Sequence, residues 1–333
     1  MREGATEPGP EEQARLADRA ARRARREERR ARQRAQNVVR AAKMHEARLA
    51  FEREQVKAHP AATGKTVVRG KFFPGAPRAK SAKELEAIVG CSGWFYWHWR
   101  NDFYPTGLPT SRWFEHYART FRTVELNAPF YSWPTVGTVQ GWVRQAGRRR
   151  FVYAVKVNEL ITHQKRFVGT KTLVRDFYHV ADLLGPRLGC FLFQLPPSYR
   201  YTPGRLKSIV SQLDPARPNV VEFRHKSWWN ERVYGAFREA GIVFCSCSGP
   251  RLPDEVVKTA DDLYVRFHGT TRWYRHDYTK EELAAWAGRI RASGARRVWA
   301  YFNNDREGYA IKNAKELIRL LGGRGGRGSR RAG

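Results

Sequence analysis

Two periods alternate along residues 84–321. Short runs rich in β-branched and aromatic residues, the types that favour strands, fall at 87–91, 123–126, 151–157, 188–194, 220–223, 243–247, 263–268 and 298–302. Between them, apolar positions recur at helical spacing over 111–120, 136–146, 173–184, 203–213, 231–240, 280–293 and 309–321, with a short, weaker stretch at 254–259. Eight strand-then-helix units predict an α/β fold of the TIM-type (β/α)8 class, irregular where the 254–259 unit is short. An open doubly wound sheet would have fewer strands and a Gly-rich first turn. No GxGxxG turn joins a strand to a helix and no GxxxxGK[ST] occurs, which disfavours nucleotide cofactors held in those ways.

Alternation within each strand assigns the inward face. In Phe151-Val152-Tyr153-Ala154-Val155-Lys156-Val157, Lys156 shares a face with Ala154, while Val155 and Val157 look toward the helices. The same reading sends Glu125 and Asn127, Gln194, Glu222 and Arg224, Arg266 and His268, and Asn303 inward, with Ser92 following the first strand. Polar groups therefore converge at the carboxyl ends of seven strands, where this architecture builds its active sites. Two carboxylates and three cations inside a barrel are costly unless paired. Either Glu125 and Glu222 neutralise Lys156, Arg224 and Arg266 in a structural network, or the excess cation, with Ser92, Asn127, Gln194 and Asn303 as neutral partners, holds an acidic or phosphorylated ligand.

Charge sharpens the domain picture. The chain has 62 Lys plus Arg against 32 Asp plus Glu, a formal +30, which favours polyanionic partners. Residues 1–89 contribute +10, 90–321 contribute +16 and the tail 322–333 contributes +4, so the folded part is basic in its own right. All Trp lie after residue 90, and only Phe51, Phe72 and Phe73 among the aromatics come before it. Residues 1–58 read as a basic Ala/Arg/Glu-rich extension, helical or disordered, with no sustained apolar stripe to bury. Residues 59–86 read as a Gly/Pro/Lys linker, 87–321 as the barrel, and 322–333 as a flexible Gly/Arg tail.

No apolar stretch approaches a membrane span and no apolar segment follows the basic start, so a cytoplasmic location is expected, without a membrane or a secretory signal. The 12 acidic residues among the first 89 argue against an import peptide. Cys91, Cys190, Cys245 and Cys247 match no CxxC or Cys/His zinc spacing and sit in apolar runs, as reduced core thiols do.

The residues at the strand ends also carry a family likeness. Gly90-Cys91-Ser92-Gly93-Trp94, Phe103-Tyr104-Pro105, Val124-Glu125-Leu126-Asn127 with Phe130-Tyr131, Phe191-Leu192-Phe193-Gln194-Leu195-Pro196-Pro197-Ser198, Val221-Glu222-Phe223-Arg224-His225 with Ser227-Trp228, Val265-Arg266-Phe267-His268-Gly269, and Tyr301-Phe302-Asn303-Asn304 resemble, in order, the blocks of the YecE-like family, also called domain of unknown function 72. The resemblance covers residues 88–321 and implies a TIM-type barrel whose biochemical function is uncharacterised. It departs at Ser132, where many members carry Arg.

Three functions fit these residues. The first is a hydrolytic barrel enzyme acting on a phosphate-bearing substrate, nucleic acid or nucleotide, with Lys156, Arg224 and Arg266 on the anion and Glu125, Glu222 and His268 as acid/base groups. The second is a non-catalytic nucleic-acid-binding protein that uses the basic extension. The third is a carbohydrate-processing barrel with Glu125 and Glu222 as its carboxylate pair. A divalent metal held by Glu125 and Glu222 with His268, His225 or His163 is disfavoured by the flanking cations and the lack of any His-x-His or HExxH spacing. Trp94, Trp97, Trp99, Tyr131, Trp133, Trp228 and Trp229 lie near strand ends, as stacking walls or as core.

Overall fold

The structure, a computed structural model, describes residues 9–58 and 85–322; the expected linker up to residue 84 and the tail from 323 lie outside them. Eight parallel strands, β1 (Glu86–Cys91), β2 (Thr123–Leu126), β3 (Val152–Lys156), β4 (Leu188–Gln194), β5 (Asn219–Glu222), β6 (Val243–Ser248), β7 (Asp262–Phe267) and β8 (Arg297–Phe302), are hydrogen-bonded in the order β1-β8-β7-β6-β5-β4-β3-β2. This is a nearly closed TIM-type barrel. Outside it lie α2 (Trp113–Thr120), α3 (Ala128–Tyr131), α4 (Val136–Ala146), α5 (Lys171–Leu184), α6 (Pro203–Val210), α7 (Glu231–Ala240), α8 (Lys280–Ala292) and α9 (Tyr309–Leu320), preceded by the long helix α1 (Pro10–Ala58). None of the described helices is long and apolar enough to cross a membrane.

Period-2 alternation divides the core in two. Inside the barrel, Ile88, Val152, Ala154, Cys190, Leu192, Val220, Tyr264, Trp299 and Tyr301 pack together, whereas Val155, Phe191, Val221 and Phe267 face the helices. All four cysteines are buried free thiols.

The seam is between β1 and β2, which share no ladder. A Cβ on Gly90 would lie 2.5 Å from the Thr123 carbonyl oxygen, so the two backbones approach closely only because that residue has no side chain. The Tyr117 hydroxyl from α2 fills the gap. It accepts from the Cys91 N–H at 2.9 Å and donates to the Thr123 carbonyl at 3.0 Å. Lower down, Arg122 donates to the Ala87 carbonyl at 2.9 Å. Side chains thus satisfy backbone groups that a ladder would otherwise pair.

Two expectations are corrected. No helix forms at 254–259; that segment is irregular and held beside β6, where the Ser246 hydroxyl accepts from the Val257 N–H at 2.9 Å and the Thr259 hydroxyl from the Phe244 N–H at 2.9 Å. Both bonds tie the segment to β6 and outweigh local helix propensity. The second correction concerns the extension, which does have something to bury. Asn37, Ala41, Met44 and Arg48 form one buried face of α1 along α5. Asn37 donates to the Tyr131 carbonyl at 3.0 Å and accepts from the Trp133 N–H at 2.8 Å, and Arg48 pairs with Asp176 at 2.9 Å.

Candidate functional site

Each residue expected at the site lies at the C-terminal end of the barrel: Glu125 and Arg266 within their strands, Lys156, Gln194 and Glu222 at strand ends, and Ser92, Asn127, Arg224, His268 and Asn303 one or two residues beyond. All but Lys156 and Gln194 join one hydrogen-bonded network. Arg266 is its centre. One terminal nitrogen meets Glu222 Oε2 at 2.5 Å and the other meets Glu125 Oε1, with all three side chains fully buried. Glu125 is further satisfied by the Ser92 hydroxyl at 2.7 Å and the Tyr264 hydroxyl at 2.6 Å. Tyr264, on the same face of β7 as Arg266 two residues on, escaped the sequence reading although the same alternation places it inside.

Glu222 accepts a second guanidinium, that of Arg224. Burial alone would push its carboxyl up, but the charges of Arg224 and Arg266 outweigh that and hold it well below the usual carboxylate range. Burial, then the charges of Arg224 and Arg266, keeps His268 neutral. Arg224 approaches His268 Nε2 at 3.0 Å and can only donate, so that nitrogen accepts and the proton sits on Nδ1. Nδ1 lies 3.4 Å from the Asn303 amide, a contact that works when the amide turns its oxygen inward. The Arg224 guanidinium also lies over the Trp273 ring, 4.5 Å from its centre, a partner the sequence did not single out.

Lys156 differs from the other inward cations. Among the described residues it forms no ion pair; its Nζ lies 4.0 Å from the centre of the Phe130 ring. Burial, followed by the charge of Arg266, brings its amine down from 10.5 to about 7. His163, edge-on to Phe130, is lowered to about 4 by burial and by Lys156. Gln194 donates to the neighbouring Leu195 carbonyl at 2.7 Å. Asn127 donates to the Ser92 carbonyl at 3.2 Å while its buried Oδ1 has no partner, an acceptor whose desolvation a bound donor would offset. Ser132 accepts from Arg40 of α1.

Glu222, Cys247 and His268 bring one oxygen, one sulfur and one nitrogen within 4.8 Å of one another, donors that a soft divalent ion accepts. Here Arg224 engages both Glu222 and His268 and occupies that place with a positive charge, so the arrangement does not fit a cation. His225 is a local cap that accepts from the Ser227 N–H. Of the aromatics near strand ends, Trp99, Trp133 and Trp228 are buried in the core, Trp94 and Trp229 are half-buried, and Trp97 and Tyr131 are 59% and 60% exposed.

Fold and site together define a TIM-type barrel protein with a polar, partly ion-paired mouth. The arrangement of motifs points the same way as comparison with known proteins. The chain belongs to the family described as protein of unknown function DUF72, whose family model matches residues 88–331. It is 24% identical over 269 residues to the UPF0759 protein YunF of Bacillus subtilis (strain 168), covering 70% of this chain and 94% of that protein. It is 32% identical over 118 residues to the UPF0759 protein YecE of Escherichia coli (strain K12), covering 34% of this chain and 42% of that one. Among solved structures it is similar to a DUF72 family protein (TM1631) from Thermotoga maritima MSB8, with TM-score 0.64 and 28% identity over 71% of this chain and 99% of that one. A DUF72 family protein (EF0366) from Enterococcus faecalis V583, at 21% identity and TM-score 0.55 over 63% of this chain and 93% of that one, shares the fold. Helix α1 lies outside the matched region.

Proposed function

We propose that the mouth binds a phosphate-bearing substrate, nucleotide or nucleic acid, and hydrolyses a phosphodiester bond, with Lys156 and Arg224 on the anion. The observation that carries this reading is that Lys156 has no ion-paired carboxylate among the described residues, when Arg224 and Arg266 both have one. A phosphate would supply the missing negative charge, and would raise the Lys156 pKa by doing so. Arg224, whose buried guanidinium lies over Trp273, has donors beyond those used on Glu222 and His268 to offer the same anion.

Acid/base work passes from the carboxylates to Lys156. Glu125 is saturated by three donors, and Glu222 is too weak a base to take a proton. Held as the ammonium by the bound phosphate, Lys156 gives a proton to the leaving oxygen as the bond from phosphorus to that oxygen breaks, and burial keeps that proton more easily lost than from an ordinary lysine. The attacking water bonds to phosphorus through its oxygen and releases its proton to solvent, from which Lys156 is then reprotonated. A carbohydrate reading has less support, because Glu125 and Glu222 grip one guanidinium and neither is free to protonate a glycosidic oxygen.

The test is phosphodiester turnover by the wild-type protein and Lys156→Met on bis(p-nitrophenyl) phosphate and short oligonucleotides. The variant should lose about 100-fold or more of the rate while remaining folded. Equal rates in the two proteins, or no turnover together with no thermal shift by nucleotides, would overturn the reading.

A further inference from the structure

Helix α1 is half docked and half free. Residues 11–32 are exposed on every side, a length of about 33 Å at 1.5 Å per residue. The docked half descends along α5: Asn37 meets the loop after β2, His45 and Arg48 meet Asp176, and Phe51 meets His179 one turn further down. Because α5 follows β3 and leads back to the start of β4, it begins at the mouth and ends at the opposite face. The free half of α1 therefore projects beyond the C-terminal rim, on the side of the polar mouth.

Its surface is strongly basic. Between residues 19 and 34 nine arginines face two glutamates. Arg22, Arg23 and Arg32 are used in pairs along the helix, and Arg34 reaches Glu159 at 3.3 Å beside the mouth. Arg19, Arg25, Arg26, Arg29 and Arg30 have no carboxylate partner among the described residues. Leu16 is the one large apolar side chain exposed on residues 11–32, so this half has no apolar face to lay in a membrane or against a second helix.

A second observation comes from the rim. The large exposed aromatic side chains among the described residues are Phe95, Trp97, Tyr131 and Tyr274, and all follow β1, β2 or β7 on the mouth face. Tyr131 stands where arm and mouth meet. Its carbonyl is held by Asn37, its ring is edge-on to Phe130 at 5.0 Å, and Phe130 carries the Lys156 amine. Basic tracks joined to exposed aromatic platforms are how proteins hold unpaired strands: arginines follow the phosphates and rings stack on bases.

We infer that α1 and the Tyr131 rim form a binding surface for single-stranded nucleic acid, whose phosphates run along the free half of α1 and whose base on Tyr131 brings the backbone to Lys156. This rests on the reading of the mouth as a phosphate site and names its substrate as a polymer. RNA and DNA offer the same phosphates and bases, and either satisfies the inference.

Anisotropy titrations of the full-length protein with labelled single-stranded RNA, single-stranded DNA and duplex DNA of equal length, over a salt series, test it. Replacing Arg25, Arg26, Arg29 and Arg30 by Gln keeps helix propensity and should lower the single-strand salt slope by about 3. The corresponding Lys replacements should restore it. Tyr131→Ala should weaken single-strand binding by about five-fold or more and leave duplex binding unchanged. Single-strand affinity equal in the wild-type and Gln proteins, or duplex binding tighter than single-strand binding with no effect of Tyr131→Ala, would overturn the inference. Mononucleotide binding by the wild-type protein and Lys156→Met, measured alongside, reports on the mouth alone. Failure there with an intact arm effect removes the phosphate reading and not the arm.

Discussion

Arg266 Nη1 lies 2.5 Å from Glu222 Oε2, with both side chains fully buried, and the other end of the same guanidinium holds Glu125. One cation thus separates two carboxylates that would otherwise face each other in a low-dielectric interior. Arg266→Met should cost about 3–5 kcal/mol, read as a lowered urea midpoint or as loss of soluble protein. A variant as stable as wild type would show that the pairing is not what permits those carboxylates to be buried.

Lys156 titrates near 7 in the fold against 10.5 when unperturbed. Between those values the unfolded chain holds the extra proton, so stability rises with pH across that window, and the penalty for burying the ammonium is complete below about 7. Lys156→Met should therefore be more stable than wild type at pH 6, with the advantage shrinking toward pH 10. Urea melts at intervals of pH measure it; a constant difference would contradict the depressed pKa.

Asn37 serves two backbone groups beyond β2. Replacing it by Ala leaves the Trp133 N–H without an acceptor, at about 1–3 kcal/mol. Hydrogen exchange should then quicken across residues 37–52 of α1 and at Trp133, while β4 to β8 keep their protection. Unchanged exchange would mean that Ala41, Met44 and Arg48 suffice to dock the helix.

Tyr117→Phe removes the hydroxyl that bridges the β1–β2 seam. The expected loss is about 1–3 kcal/mol, with faster exchange of the Cys91 amide. A loss confined to a few tenths would show that Gly90 packing closes the seam without it.

Much of this architecture is legible in the chain. Alternation in Val152-Tyr153-Ala154-Val155-Lys156 gives the inward face without any tertiary knowledge, and the strands lie within one or two residues of their expected places. Alternation gives a face, however, and not a partner. It sends Glu125, Glu222 and Arg266 inward alike but does not say that Arg266 is consumed by the other two, while Lys156 is left without an ion pair among the described residues. The docking of α1 is hidden for a different reason. Its buried face is Asn37, Ala41, Met44 and Arg48, correctly spaced for a helix but half polar, so no apolar stripe stands out. The 254–259 difference has a local cause, since the Ser246 hydroxyl claims the Val257 N–H that a helix would have used, and the Thr259 hydroxyl is held by the Phe244 N–H of β6.

The layer of Arg266, Glu125 and Glu222 acts as a floor. Below it Ala154, Cys190, Leu192 and Tyr301 fill the barrel, so a ligand meets only the groups at that level and the loops above. On the proposed reading of the mouth, recognition and stability are thereby housed in different residues. Changes in the loops after β1, β2 and β7 can retune what the mouth accepts without opening the ionic layer, and changes in that layer would unsettle the barrel before they altered its choice of ligand.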